Sequence, residues 1–117
     1  MSVRPVLIVD AANVVGSVPD GWWRDRKGAA ERLRDRLAGR EGGEEVILVV
    51  EGAARGVESV PGVRVESASG SGDDLIVQLA AACAGRPCTV VTADRALRDR
   101  VRAHGAECAG PRTVRPD

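Results

Sequence analysis

The acidic residues of this chain fall where a catalytic or metal-binding site would need them. Asp10 closes the apolar run Val6-Leu7-Ile8-Val9 and is followed by Ala11-Ala12-Asn13. Glu51 closes Val46-Ile47-Leu48-Val49-Val50, Asp73 and Asp74 follow Ser71-Gly72 ahead of an apolar-periodic stretch, and Asp94 comes just after Val90-Val91-Thr92. Carboxylates gathered at one edge repel one another and lose hydration, which is unfavourable unless a cation joins them. Mg²⁺ or Mn²⁺ prefers carboxylate and water oxygens. With His104 as the one histidine and three cysteines that show no CxxC spacing, no softer ligand set competes. With a phosphodiester bound, such ions activate a water and stabilise the leaving oxygen.

Each acid also has a local use. Asp10 caps the turn after its strand in the simplest reading, yet a charged residue ending a buried strand marks a site more often than decoration. Asn13 is its natural companion, holding Asp10 or a water through its amide, or else merely forming the turn. Asp73 and Asp74 suit a helix N-terminus through capping and the helix dipole, with Asp73 the better ligand and Asp74 the reciprocal partner of Ser71 in a capping box. Asp94 is also an N-cap candidate, a job Thr92 can share. Glu51, with its longer side chain, either joins the site or turns outward to Arg55.

The elements that position these residues follow from periodicity. Val3 to Asp10, Val46 to Val50 and Thr89 to Val91 are nearly continuous apolar runs, as expected for parallel strands covered on both faces. Trp22 or Trp23, Ala30, Leu33 and Leu37 recur at helical spacing, closed by Gly39 and Gly42-Gly43. Val63-Arg64-Val65-Glu66 alternates after the Pro61-Gly62 turn and reads as a third strand near an edge. Leu75, Ile76, Leu79, Ala80 and Cys83 form a second helical stripe. Cys88 to Thr92 is then the fourth strand, Arg95 to His104 a third helix stopped by Gly105, and Ala106 to Ala109 a last short strand. This alternation predicts an α/β fold: a three-layer α/β/α sandwich around a mostly parallel, Rossmann-like sheet of four to five strands, with ligands at the carboxyl ends of the strands. Residues 1–111 are expected to form one domain and 112–117 a loose C-terminal tail.

A chain of 117 residues supports one core, and 44% apolar with 29% charged residues is a globular balance. No apolar run spans a bilayer and no secretory leader pattern opens the chain, so no membrane partner and a cytoplasmic location are expected. Cys83, Cys88 and Cys108 are expected to be reduced, buried thiols. Formal charge is zero, but Arg24 to Arg40 carries seven basic residues against three acidic ones, a local basic face.

With Asp10-Ala11-Ala12-Asn13, Gly72-Asp73-Asp74 opening a helix and Val91-Thr92-Ala93-Asp94 in this order, the chain resembles the PIN-like nuclease superfamily, and within it the NYN (YacP-like) branch. The resemblance spans nearly the whole chain. It implies a PIN-like three-layer fold, Mg²⁺ or Mn²⁺ held by Asp10, Asp73 and Asp94, and RNA cleavage, with Asn13 at the family's Asp-x-x-Asn position; Asp74 and Glu51 are additional candidate ligands from their positions in the chain alone. The chain departs from many members in being short and in lacking Phe and Tyr.

Stacking therefore falls to Trp22 and Trp23. One is expected to bury against the sheet, and the other to offer an exposed ring flanked by Arg24 and Arg26 for bases and phosphates. Trp22, Arg24, Arg26, Thr92 and Arg95 are the candidate substrate contacts. The leading function is a metal-dependent ribonuclease acting on single-stranded RNA. The alternatives are a nucleotide phosphatase or pyrophosphohydrolase using the same metal site, which has no Nudix box to support it, and an inactive module that binds RNA or a protein. A dinucleotide site is disfavoured because Asp10-Ala11-Ala12-Asn13 stands where a GxGxxG turn is needed. The sequence leaves open whether the chain pairs as a homodimer.

Overall fold

Strands that are apolar at every position must be covered on both faces. The computed structural model, which describes residues 3–115, places them at the centre of a five-stranded sheet. The strands are β1 (Val6–Asp10), β2 (Glu45–Val50), β3 (Val63–Ser67), β4 (Cys88–Val91) and β5 (Glu107–Ala109), all parallel, in the order β3-β2-β1-β4-β5. The helices are α1 (Ala11–Val15), α2 (Arg26–Ala38), α3 (Gly72–Ala82) and α4 (Arg95–Arg102).

Side chains alternate across a strand, so β1 and β2 feed two cores. Leu7, Val9, Leu48 and Val50 pack with Ala29, Ala30, Leu33 and Leu37 of α2 and with Val14 and Val15 of α1. On the opposite face, Val6, Ile8, Ile47 and Val49 pack with Ile76 and Ala80 of α3 and Leu97 and Val101 of α4. The result is the expected three-layer α/β/α sandwich, with β3 at one edge.

The path of the chain positions the site. From β1 it passes through α1 and α2 to β2 and β3, then α3 carries it back past β1 to β4, and α4 leads on to β5. The direction of winding reverses between β1 and β4. In open parallel sheets that reversal leaves a crevice at the carboxyl ends of the two strands.

Several local features depart from the expectations. The first turn after β1 is a helix, α1, because Asp10 caps it and Ala11-Ala12 are strong helix formers. The helix expected from the tryptophans starts only at Arg26. Gly21, at φ 87°, breaks the backbone, Trp22–Arg24 form a 3-10 turn, and the Asp25 carboxylate caps the helix by accepting from Gly28 N–H at 3.0 Å. Helix α4 ends at Arg102, ahead of His104. The tail expected to be loose is packed: Pro111–Thr113 form a 3-10 turn, Val114 is buried, and Arg115 donates to the Val15 carbonyl and pairs with Asp20. Residues 116 and 117 of that tail lie outside the described residues.

Cys83 and Cys88 are buried and Cys108 half-buried, all three as free thiols. Burial, with the neighbouring Cys83, pushes the Cys88 thiol up to about 11, so it stays protonated and inert. No helix among the described residues is long and apolar enough to cross a membrane.

Ile8 is fully buried on the central strand. Ile8→Ala is expected to cost roughly 2–5 kcal/mol in urea denaturation, since the surrounding strands and helices cannot collapse onto the cavity.

Candidate functional site

Asp10 ends β1 and is only 6% exposed. The parallel register pairs Val9 with Val91, so Asp10 meets Thr92, the residue just after β4. Thr92, itself wholly buried, donates its hydroxyl to Asp10 Oδ2 at 2.9 Å. Asn13 N–H donates to Asp10 Oδ1 at 3.3 Å, making Asp10 the N-cap of α1 as well as an inward-facing carboxylate.

The neighbouring residues lock onto this pair. Thr92 Oγ1 also accepts from Asp94 N–H at 3.1 Å, and Asp94 caps α4 by accepting from Leu97 N–H at 3.0 Å. Asn13 does not hold Asp10 with its amide. Its Oδ1 accepts from Ala93 N–H at 2.8 Å and ties α1 to the loop between β4 and α4. Arg98 donates from Nε to the Thr92 carbonyl at 2.8 Å and fixes that loop from below α4.

The remaining acids divide. Glu51 does not turn to Arg55: its Oε2 accepts from Gly72 N–H at 2.7 Å, the first residue of α3. A Cβ at Gly72 would lie 3.0 Å from the Glu51 carboxyl carbon, so any larger residue there pushes the carboxylate off this approach. Ser71 caps α3 by accepting from Asp73 N–H at 3.2 Å. Asp74 forms no reciprocal capping box with Ser71. It is exposed and accepts from Arg100 at 2.9 Å, which draws it away from the crevice and leaves Asp73 as the acid of that pair nearer the others.

Burial and neighbouring charge act on two of these acids. Burial raises the Asp10 pKa from its ordinary 3.8 to about 6, and the nearby charges of Asp73 and Glu51 add to the effect, although the bonds from Thr92 and Asn13 oppose it. Asp73 is also raised, by burial first and then by Asp94 and Glu51, against a smaller opposing effect of Arg100. Among the described residues, none of Asp10, Glu51, Asp73 and Asp94 is in an ion pair. Asp10, Asp73 and Asp94 stand at the N-terminal ends of α1, α3 and α4, where the helix dipole favours negative charge.

Asp10, Glu51, Asp73 and Asp94 supply only hard oxygen donors, the chemistry Mg²⁺ and Mn²⁺ prefer. Among the described residues, however, no group of three or more His, Cys, Asp and Glu side chains stands arranged to hold a metal ion.

The substrate candidates separate too. Thr92 is sealed from solvent and serves to position Asp10, so it cannot touch a substrate. Trp22 packs against the core and Trp23 is 51% exposed, their rings edge to face at 5.9 Å. Arg26 lies over the Trp22 ring at 5.3 Å and Arg24 over Trp23 at 5.9 Å. Arg95, next to Asp94, is exposed. Sequence reasoning missed the positioning bonds of Thr92, Asn13, Gly72 and Arg98. The available signal was Thr92 itself, a hydroxyl ending one apolar strand as Asp10 ends another.

The raised Asp10 pKa carries a sign. Between about 4 and 6 the folded chain binds more protons at Asp10 than the unfolded chain, so this group's contribution to stability falls as pH rises and reaches a penalty of roughly 3 kcal/mol above that window. Asp10→Asn is expected to stabilise the protein by about 1–3 kcal/mol at pH 8 and to lose that advantage as pH falls toward 4, as read by urea denaturation at both pH values. Equal destabilisation at both would contradict the assignment.

No family model matches the chain, and no curated protein does either. Among solved structures, the chain is similar to the crystal structure of Rae1 (YacP) from Bacillus subtilis, at a TM-score of 0.76 and 22% sequence identity, over 97% of this chain and 74% of that one. The α/β sandwich described above is thus a YacP-like fold.

Proposed function

We propose that this chain is a metal-dependent ribonuclease of the NYN branch of the PIN-like superfamily, cleaving single-stranded RNA at the crevice between β1 and β4. The observation that carries the reading is the buried Asp10 carboxylate at the reversal point of a YacP-like sheet, facing Asp73 and Glu51 with no basic partner. The order of Asp10-x-x-Asn13, Gly72-Asp73-Asp74 and Thr92-Ala93-Asp94 along the chain supports it further.

Asp10, Asp73 and Asp94 would hold Mg²⁺ or Mn²⁺, with Glu51 kept on the amide of Gly72 and Asp74 on Arg100. Bound there, the ion supplies a Lewis acid for the phosphoryl oxygens and a water of lowered pKa. The chain's own residues do the rest. Thr92 fixes the Asp10 carboxylate, Asn13 holds α1 at a set distance from the Asp94 loop, and the α1, α3 and α4 N-termini favour negative charge in the crevice. Trp23 with Arg24 offers an exposed stacking and phosphate surface, and Arg95 adds a cation beside Asp94. A cytoplasmic location fits these roles.

The test is incubation of the purified protein with labelled single-stranded RNA in Mn²⁺ or Mg²⁺. Cleavage is expected, abolished by EDTA and by Asp10→Asn, and lowered ~10- to 100-fold by Thr92→Val, the usual effect of removing a group that orients a ligand. Free nucleoside triphosphates should stay intact, which separates strand cleavage from phosphatase or pyrophosphohydrolase activity. Folded protein that binds RNA without cutting it in either metal, or cuts it equally well as Asp10→Asn, would overturn the proposal in favour of a binding module.

A further inference from the structure

A cavity of about 340 Å³ is lined by Glu51, one of the four acids, and by Ala11, the residue after Asp10. This lies at the lower end of the roughly 300–1,000 Å³ typical of small-molecule sites. Val15, Ala30 and Ala54 give it apolar walls, Trp22 contributes its ring, and Arg26 and Glu51 are the ionisable groups that line it. The Trp22 ring is held by core packing and by Trp23 edge-on, and a ligand stacking on it takes the place of the Arg26 guanidinium that now lies over it. Glu51 lines the cavity; its Oε2 accepts from Gly72 N–H and keeps a second lone pair, and its Oε1 accepts no hydrogen bond among the described residues, so both oxygens can receive a donor.

These features define the occupant. The walls call for a flat, weakly polar ring, and a carboxylate covered by that ring without a donor would lose hydration uncompensated. The ring must therefore carry N–H groups on one edge. A nucleobase meets both requirements, and guanine best, since its ring N–H and exocyclic amine lie side by side. We infer that the cavity takes one unstacked guanine base of the RNA strand, its ring against Trp22 and its donor edge toward Glu51, and so sets base preference beside the cleaved phosphodiester. The inference rests on the ribonuclease reading for its substrate class. Single-stranded RNA is commonly read this way, by splayed bases stacked on aromatic rings and hydrogen-bonded at their edges.

Intrinsic fluorescence tests it without any cleavage assay. Trp23→Phe removes the exposed ring and leaves Trp22 as the sole reporter. Titration with the four nucleoside 5′-monophosphates is expected to quench Trp22 saturably, most tightly with GMP. Ala12→Leu, placed on an exposed residue of the cavity lining so that the core is undisturbed, is expected to weaken GMP binding at least tenfold in the same background. No saturable quenching by any nucleotide, no preference for GMP, or quenching unaffected by Ala12→Leu would overturn the inference. RNA cleavage by a protein that fails this test would leave the ribonuclease reading standing alone. GMP binding by a protein that cleaves nothing would leave the base pocket and remove the nuclease.

Discussion

The hydrogen bond from the Thr92 hydroxyl to the Asp10 carboxylate joins the ends of the two parallel strands between which the winding of the chain reverses. Parallel pairing of β1 with β4 makes it geometrically available, and burial of both residues makes it costly to lose. A lone carboxylate in that position would be expelled or neutralised. Here it is kept by one hydroxyl, one backbone amide and the N-terminus of α1, and even so its pKa stands near 6. The protein thus spends stability to keep an acid where a packed domain needs none, and strain of this kind concentrates at sites of function.

Around that bond the crevice is assembled from hydrogen bonds rather than ion pairs. Asn13 reaches Ala93, Asp94 caps α4 while its amide rests on Thr92, and Glu51 reaches the first amide of α3. Each connects a strand end or a turn to a helix start, so three separate segments of chain are held in fixed relation. Two cations of the neighbourhood are engaged elsewhere, Arg100 on Asp74 and Arg98 on the Thr92 carbonyl. The uncompensated negative charge that remains is local, in a chain whose formal charge is zero. The apolar cavity with Trp22, lined by Ala11, Ala12 and Val15 of α1, touches this charge through Glu51.

The strand ends were legible because unbroken apolar runs identify buried parallel strands, and such strands must deliver Asp10, Glu51 and Thr92 to one edge. The segregation of α2 from α3 and α4 onto opposite faces was legible only as a three-layer sandwich. Side-chain partners were less accessible. Asp74 and Asp73 are adjacent acids at one helix start, and only the position of Arg100 one helix away decides which is drawn off. Gly72 reads as an ordinary helix-start residue until the Glu51 carboxylate is seen against it. Helix α1 was hidden by its five-residue length, and the packed tail by the absence of any periodicity in so few residues. Thr92, read as a substrate contact, turned out to be buried, since position in sequence beside Asp94 says nothing about which way a strand-end side chain faces.

In the ribonuclease proposed above, Asp10, Asp73 and Asp94, delivered by three different segments, would share a divalent cation. Crystals soaked in Mn²⁺ test it most directly through the anomalous signal of the metal. Density touching Asp10 and Asp94, with Asp73 rotated toward it and Thr92 still bonded to Asp10, is the predicted result. A crevice free of anomalous density at saturating Mn²⁺, or Mn²⁺ bound elsewhere on the surface, would contradict it.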